Sequence, residues 1–237
     1  MTDNGRAIQI ESLRFSYPDG TVALDDLCLE VAEGEKVAVL GANGAGKSTL
    51  LLHLNGILRG GGSVRVCGLQ MSRATAKTIR RMVGVVFQNP DDQLFCPTVG
   101  DDVAFGPRNL NLPEEEVGRR VAESLAAVGM SGSEERSAFH LSFGQKKRVA
   151  IATALAMQPR IMALDEPTSN LDPRGRREIA ALLRRLGRTQ VIVTHDLELV
   201  GRLCDRAVVL AEGRKAADGP IARILADERL LDSCGLR

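Results

Sequence analysis

Lys36-Val37-Ala38-Val39-Leu40, followed by Gly41-Ala42-Asn43-Gly44-Ala45-Gly46-Lys47-Ser48-Thr49, is the stretch that decides the fold. Its first five residues read as a compact buried strand. Residues 41–48 satisfy Gly-x-x-x-x-Gly-Lys-[Ser/Thr], and a helical pattern runs from Lys47 to about Gly56, so the loop lies between strand and helix as its chemistry requires. The glycines let successive N–H groups turn inward around phosphate oxygens. Lys47 brings a mobile positive charge to the outer phosphates, and the Ser48 hydroxyl is placed to coordinate Mg²⁺. Gly41, Asn43, Gly44, Gly46, Lys47, Ser48 and Thr49 are therefore candidate nucleotide-binding residues. A chance match in a chain of this length occurs in roughly one sequence in a hundred.

Further along, Ile161-Met162-Ala163-Leu164-Asp165-Glu166 reads as an apolar strand ending in two acids. A buried strand of an open α/β sheet delivers such acids to its carboxyl end, where ligands bind. Asp165 is placed to hold Mg²⁺, and Glu166 to orient and activate an attacking water. His195 closes another buried strand, Gln190 to Thr194, so its imidazole is expected at the same edge, within reach of a terminal phosphate. His53 and His140 lack such placement and read as structural.

Outward from these strands, β-rich segments come first, Ala7 to Phe15 and Val22 to Val31, joined at Tyr17-Pro18-Asp19-Gly20. Val83 to Phe87 reads as another buried strand. Residues 89–160 then look mainly helical. Pro113 precedes Glu114, Glu115 and Glu116 as a helix start; Val117, Val121, Leu125 and Val128 recur at helical spacing; Gly129 is positioned as the end cap. Ser142-Phe143-Gly144-Gln145 matches a capping box opening a helix to about Met157, and a helix N-terminus is also an anion site. Strand–helix alternation returns with a helix Arg174 to Leu186 closed by Gly187, and past Gly219 there is a weak helical signal, Ile221 to Leu225. The expected organisation is a single domain over 1–237: an α/β P-loop NTPase (RecA-like) core, 1–88 and 161–237, with an N-terminal antiparallel β subdomain and a helical subdomain, 89–160.

Composition narrows the function classes. With 237 residues the chain can bury a full core, and 31 Lys and Arg against 30 Asp and Glu leave a net charge of +1. That balance argues against a protein built to coat nucleic acid or anionic lipid. The run Val149 to Met157 falls short of the ~18 apolar residues of a spanning helix, and the N-terminal residues 1–5 are polar with no signal-peptide core behind them. Five scattered cysteines without a Cys-x-x-Cys pair fit a reducing cytosol and offer no metal or redox site.

The order of these segments resembles the ATP-binding subunit of ABC transporters over roughly the first 220 residues. The resemblance implies ATP and Mg²⁺ as ligands and ATP hydrolysis as the activity. It implies that Leu141-Ser142-Phe143-Gly144-Gln145 is the signature segment, with Ser142, Gly144 and Gln145 reaching the γ-phosphate bound by a second subunit. It further implies that Gln88 touches Mg²⁺ and the membrane partner, that Ser169-Asn170-Leu171-Asp172 crosses the dimer interface, and that Tyr17 stacks on adenine. One position departs from the family, which usually has Leu-Ser-Gly-Gly-Gln: here Phe143 occupies the third place. Both halves of the shared site are otherwise present, which permits a homodimer.

Phe87-Gln88-Asn89-Pro90-Asp91-Asp92-Gln93-Leu94-Phe95, with Pro97-Thr98-Val99 and Asp102-Val103-Ala104-Phe105-Gly106-Pro107, looks like the ATPase of energy-coupling factor importers. His53-Leu54-Asn55-Gly56-Ile57-Leu58 and Leu141 to Val149 are most similar to the cobalt/nickel branch, with vitamin import as the alternative. The resemblance implies a peripheral subunit on the cytoplasmic face of the cell membrane, with a transmembrane scaffold and a membrane substrate-binding subunit as partners. Leu94 and Phe95 are candidates for the scaffold contact, or else tuck into the helical subdomain. Two other classes stand against this reading. ABC ATPases of DNA repair or the ribosome would be expected to carry sustained heptads or a second domain, and neither appears. A P-loop kinase would leave the signature segment unexplained. The arginines at 174, 176, 177, 184 and 185 read as a solvated face opposite the apolar stripe of Ile179, Leu182, Leu183 and Leu186, with no nucleic acid implied.

Overall fold

Five strands of the central sheet are buried on both faces, which is why they read as continuous apolar runs without alternation. In the computed structural model, residues 5–236 are described; Met1 to Asn4, most of the polar N-terminal stretch, and Arg237 lie outside them. The central sheet comprises β3 (Lys36–Leu40), β6 (Val83–Val86), β7 (Ile161–Asp165), β8 (Thr189–Val193), β9 (Arg206–Ala211) and β10 (Arg214–Pro220), in the order β10-β9-β3-β8-β7-β6. All pairs are parallel except β9 with β10. A second, antiparallel sheet is built from β1 (Arg6–Ser16), β2 (Val22–Ala32), β4 (Gly61–Val66) and β5 (Leu69–Gln70).

Alternate side chains of the central strands feed two cores. Val37 and Val39 of β3, Ile161 and Ala163 of β7, and Val191 and Val193 of β8 pack toward the antiparallel sheet and α1 (Lys47–Leu54). Their neighbours Ala38, Leu40, Met162, Leu164 and Ile192 pack on the other face, against α5 (Phe143–Ala156) and α6 (Pro173–Arg185). That second core continues into α3 (Val99–Asn109) and α4 (Glu114–Ala127), which pack on α5 and on each other. The remaining helices are α2 (Ala76–Met82), α7 (Leu197–Leu203), α8 (Ile221–Ala226) and α9 (Glu228–Ser233). The fold is α/β, a P-loop NTPase core with an antiparallel sheet and helical parts.

Most expected elements are present to within two residues, and the exceptions are instructive. α4 carries its three acids in the first turn, buries Val117, Val121 and Leu125, and is followed by Gly129 at φ +69°, the left-handed conformation a cap needs. Gly187 does not close α6. The helix ends at Arg185, and Leu186 turns the chain into extended backbone, φ −71° and ψ 109°. β4 and β10 carry no readable pattern, because one begins in Gly60-Gly61-Gly62 and the other is a mostly exposed edge strand of polar residues. Leu94 is buried, whereas Phe95 is exposed and meets exposed Phe105 edge-to-face at 4.9 Å between ring centroids. Ile179, Ala180, Leu182 and Leu183 form the buried side of α6, leaving its arginine face to solvent.

Candidate functional site

β3 ends at Leu40, and the chain turns through the glycine loop directly into α1. Gly46 lies at φ +97°, and a Cβ there would stand 2.3 Å from the Ala23 carbonyl oxygen of β2. Only glycine lets the loop press this closely against the antiparallel sheet. Starting the helix at Lys47 leaves the first N–H groups of α1 without intrahelical acceptors, a setting suited to phosphate. The buried Lys47 ammonium donates to the carbonyls of Gly41 (2.8 Å) and Ala42 (2.9 Å), so it is folded back over the loop it serves. Burial pulls its pKa down, and the carboxylates of Glu166 and Asp165 oppose that shift.

Asp165 ends β7; burial raises the pKa of its carboxyl, and the neighbouring Ser48 hydroxyl opposes that shift. The donor set at this point is hard oxygen, a carboxylate and a hydroxyl, which suits Mg²⁺ completed by phosphate oxygens and water. Among the described residues no group of three or more His, Cys, Asp and Glu is arranged to hold a metal ion.

Glu166 is the most constrained residue here. It sits at φ +42°, a left-handed conformation costing a non-glycine residue on the order of 1–3 kcal/mol. Its N–H bonds the Val193 carbonyl at 2.9 Å, and its own carbonyl accepts from Ser169 Oγ (2.9 Å) and Lys147 Nζ (2.9 Å). The carboxylate is held by three groups from the end of β8: Thr194 Oγ1 at 2.8 Å, the His195 N–H at 3.1 Å and His195 Nδ1 at 2.7 Å. His195 thus does emerge beside the acids, its exposed ring bonded through Nδ1 to Glu166.

Tyr17, Asn43, Gly44, Gly46, Lys47, Ser48, Thr49, Gln88, Asp165, Glu166 and His195 all line one cavity of about 450 Å³, large enough for a nucleotide's phosphates. Thr21, Val22 and Ala23 at the start of β2 complete its wall. The Tyr17 hydroxyl bonds Thr49 Oγ1 at 2.9 Å, which fixes the ring at the cavity's rim. Gly41 is buried outside this lining and contributes its carbonyl to Lys47.

Ser142, Gly144, Gln145 and Asp172 are elsewhere. They line a separate cavity of about 310 Å³ with Asn170 and Leu171. The capping box is complete: Ser142 Oγ accepts from the Gln145 N–H at 3.3 Å, and Gln145 Oε1 accepts from the Ser142 N–H at 3.0 Å. The hydroxyl hydrogen of exposed Ser142 is left to donate elsewhere. Asp172 caps α6 by accepting from the Gly175 N–H at 2.6 Å. Within one chain, then, the two halves of the expected site do not meet.

His53 is buried, donates to the Thr49 carbonyl (2.7 Å) and packs edge-on against Phe15, as a structural residue would. His140 is exposed at the end of a short 3₁₀ turn. Sequence reasoning missed Thr194, which orients Glu166, and Lys147, which is fully buried and bonds the carbonyls of Gln88 and Glu166. Lys147 did leave a signal. It shares a helix face with Ala150, Ile151 and Ala154, all buried, so a cation stands in an apolar stripe.

Against known proteins, residues 24–169 match the family described as ABC transporter. The energy-coupling factor transporter ATP-binding protein EcfA of Methanothermobacter thermautotrophicus is 52% identical, over 97% of this chain and 76% of that one. The solved structure of cbiO1 from Clostridium perfringens, part of the ABC transporter complex cbiONQ, is 40% identical with a TM-score of 0.86, covering 99% of this chain and 96% of that one. A dimeric ATP-binding cassette in a post-hydrolysis state with ADP and Pi is 29% identical with a TM-score of 0.81, covering 90% and 98%.

Proposed function

This chain belongs to the ABC transporter family, and we propose that it energises an energy-coupling factor importer carrying a transition-metal ion, cobalt or nickel. It is an ABC ATPase, hydrolysing ATP with Mg²⁺. The observation that carries the importer reading is the likeness, over almost the whole chain, to an energy-coupling factor ATPase and to a subunit of the cbiONQ complex. The metal cargo is supported by the resemblance of the segments His53 to Leu58 and Leu141 to Val149 to the cobalt/nickel branch. A vitamin is the alternative cargo.

In this reading two copies share two sites. The separation of the phosphate-loop cavity from the Ser142 cavity supports it, because neither is a complete site alone. Gly44, Gly46, Lys47, Ser48 and Thr49 hold the phosphates, Tyr17 meets the adenine, and Asp165, Ser48 and Gln88 would hold a Mg²⁺ whose charge would offset that of the phosphates. Glu166, locked by Thr194 and His195, aims the attacking water, and His195 reaches the terminal phosphate. Ser142, Gly144 and Gln145 of the second copy close the site, with Asp172 at the interface, so turnover waits on dimerisation. Residues 89–160 act as the helical subdomain against the core 1–88 and 161–237. The loop that starts at Gln88 and the exposed Phe95–Phe105 pair support docking of a membrane scaffold at the cytoplasmic face. No helix among the described residues is long and apolar enough to cross a membrane, so the scaffold supplies the passage.

The test is a gentle-detergent pull-down of the chain from its native cells. A multi-span scaffold with a small membrane substrate-binding protein, and cobalt or nickel in the complex, is the expected result. Ribosomal or DNA-bound partners without membrane proteins refute import, and a bound vitamin refutes the metal. Separately, Glu166→Gln should trap an ATP-bound dimer; a variant still monomeric with ATP in size-exclusion runs would falsify the shared site.

A further inference from the structure

Lys147 has no exposed surface, yet it is the second residue after the signature segment, on a helix whose N-terminus is exposed. Its ammonium leaves α5 and enters the core. It donates to the Gln88 carbonyl at 2.5 Å and the Glu166 carbonyl at 2.9 Å, and lies 3.5 Å from Ser169 Oγ. Phe143, one turn earlier on the same helix, places its ring 5.8 Å from Nζ, within cation–π range. The residue that departs from the family's usual glycine therefore roofs the buried cation. Next to it, Lys146 pairs with Asp91 at 2.6 Å, a half-exposed contact on the segment that follows Gln88.

These contacts join three pieces of backbone that must agree during hydrolysis. Gln88 carries a candidate Mg²⁺ contact, Glu166 the candidate water-orienting carboxylate, and α5 the segment that serves the second copy's nucleotide. A buried ammonium is costly to desolvate and is stable only while its acceptors stay in place. Displacing α5 breaks its bonds to both other pieces, and displacing either of those strips the ammonium of an acceptor.

We propose that Lys147 is a positioning residue for hydrolysis, making Glu166 and the Gln88 loop follow the seating of their own chain's signature helix. The consequence is a physical link between the two nucleotide sites of a dimer: α5 serves one site with Ser142 and steadies the other with Lys147. This rests on the reading of Glu166 given above, and it adds a residue which that reading does not require. It also gives Phe143 a task, since the ring offsets part of the burial of charge that glycine would leave uncovered.

The experiment is ATP hydrolysis by the full chain with ATP and Mg²⁺, beside binding of a fluorescent ATP analogue, for Lys147→Met, Lys147→Gln and Lys147→Asn. Methionine keeps the stem and removes the donors. Glutamine keeps an N–H₂ near the same carbonyls, and asparagine carries the same amide too short to reach. In Lys147→Met, kcat should fall roughly 10- to 100-fold, the range for losing charge-assisted hydrogen bonds in the transition state. KM and analogue affinity should stay within about twofold, since the side chain does not line the nucleotide cavity. Lys147→Gln should recover most of kcat and Lys147→Asn should not. Should Lys147→Met fail to fold, the glutamine–asparagine pair decides alone. The proposal is overturned if Lys147→Met keeps kcat within threefold, if affinity falls in step with kcat, or if glutamine and asparagine behave alike. Glu166→Gln is run beside them: an undiminished kcat there removes the reading of Glu166, and the proposal with it, whatever the Lys147 variants do.

Discussion

Replacing Thr194 by valine removes one oxygen and almost no volume. Thr194 is fully buried; its hydroxyl donates to Glu166 Oε2 at 2.8 Å and accepts from the Asp196 N–H at 3.0 Å. Valine fills the space and leaves both partners unmet. Losing a hydrogen bond to a buried charged group costs about 1.5–3 kcal/mol, and the orphaned N–H about 1 kcal/mol more. Against this stands the relief of no longer burying a hydroxyl, so a net loss of roughly 2–3 kcal/mol is expected. For a chain of this size that lowers Tm by roughly 4–12 °C. Catalysis should suffer separately. The carboxylate would keep only the two bonds from His195, both to Oε1, so Oε2 would lose its anchor. A loosening worth about 1.4 kcal/mol in the transition state lowers kcat about tenfold. Thr194 is not part of the nucleotide cavity lining, so ATP affinity should hold. Phosphate release, analogue binding and thermal unfolding of Thr194→Val and Thr194→Ser separate these effects, because serine keeps the hydroxyl. A valine variant with kcat within twofold of the parent, or one whose ATP affinity falls along with kcat, refutes the assignment of Thr194 as the anchor of Glu166.

Lys47→Ala should weaken ATP binding roughly 10- to 100-fold, the range for lost charge-assisted contacts to phosphate; undiminished binding in titration calorimetry would sink the loop assignment. Burial holds the His53 imidazole below its usual value of 6.5, while the Thr49 carbonyl partly opposes the shift. The unfolded chain therefore takes up a proton below about pH 6.5 that the folded chain resists. Stability should drop as pH falls through that region, and His53→Gln should flatten the dependence; parallel melting curves for the two proteins from pH 7.5 to 5.5 would contradict it. Partial burial, with Asp102 beside it, pushes the Cys96 thiol up to about 11. At pH 8 only about one such thiol in a thousand is ionised, so iodoacetamide should label exposed Cys28 well before Cys96, and peptide mapping showing the reverse order would refute this.

Much of this protein was written in contiguous residues. Strand, glycine loop and helix from Lys36 to Leu54 follow one another in sequence, so their roles are readable without knowing what they pack against. The same holds for the apolar strand delivering Asp165 and Glu166, for the helix opened by Pro113 and its three glutamates, and for the capping box at Ser142. Each is a local pattern whose physics is complete within a turn or two. What tertiary structure alone decided is where distant segments meet. Thr194 looks like an ordinary strand-end residue until β7 and β8 pair and place its hydroxyl on Glu166. Lys147 shows in sequence only as a cation in the apolar stripe of α5; the docking of α5 on the core decides that its amine meets Gln88 and Glu166. The edge strand β10 is readable only once β9 supplies its partner. The separation of the two cavities belongs here too. Sequence order shows both segments, but only the packing of α5 and α6 on the sheet's helical face sets their cavities apart in one chain.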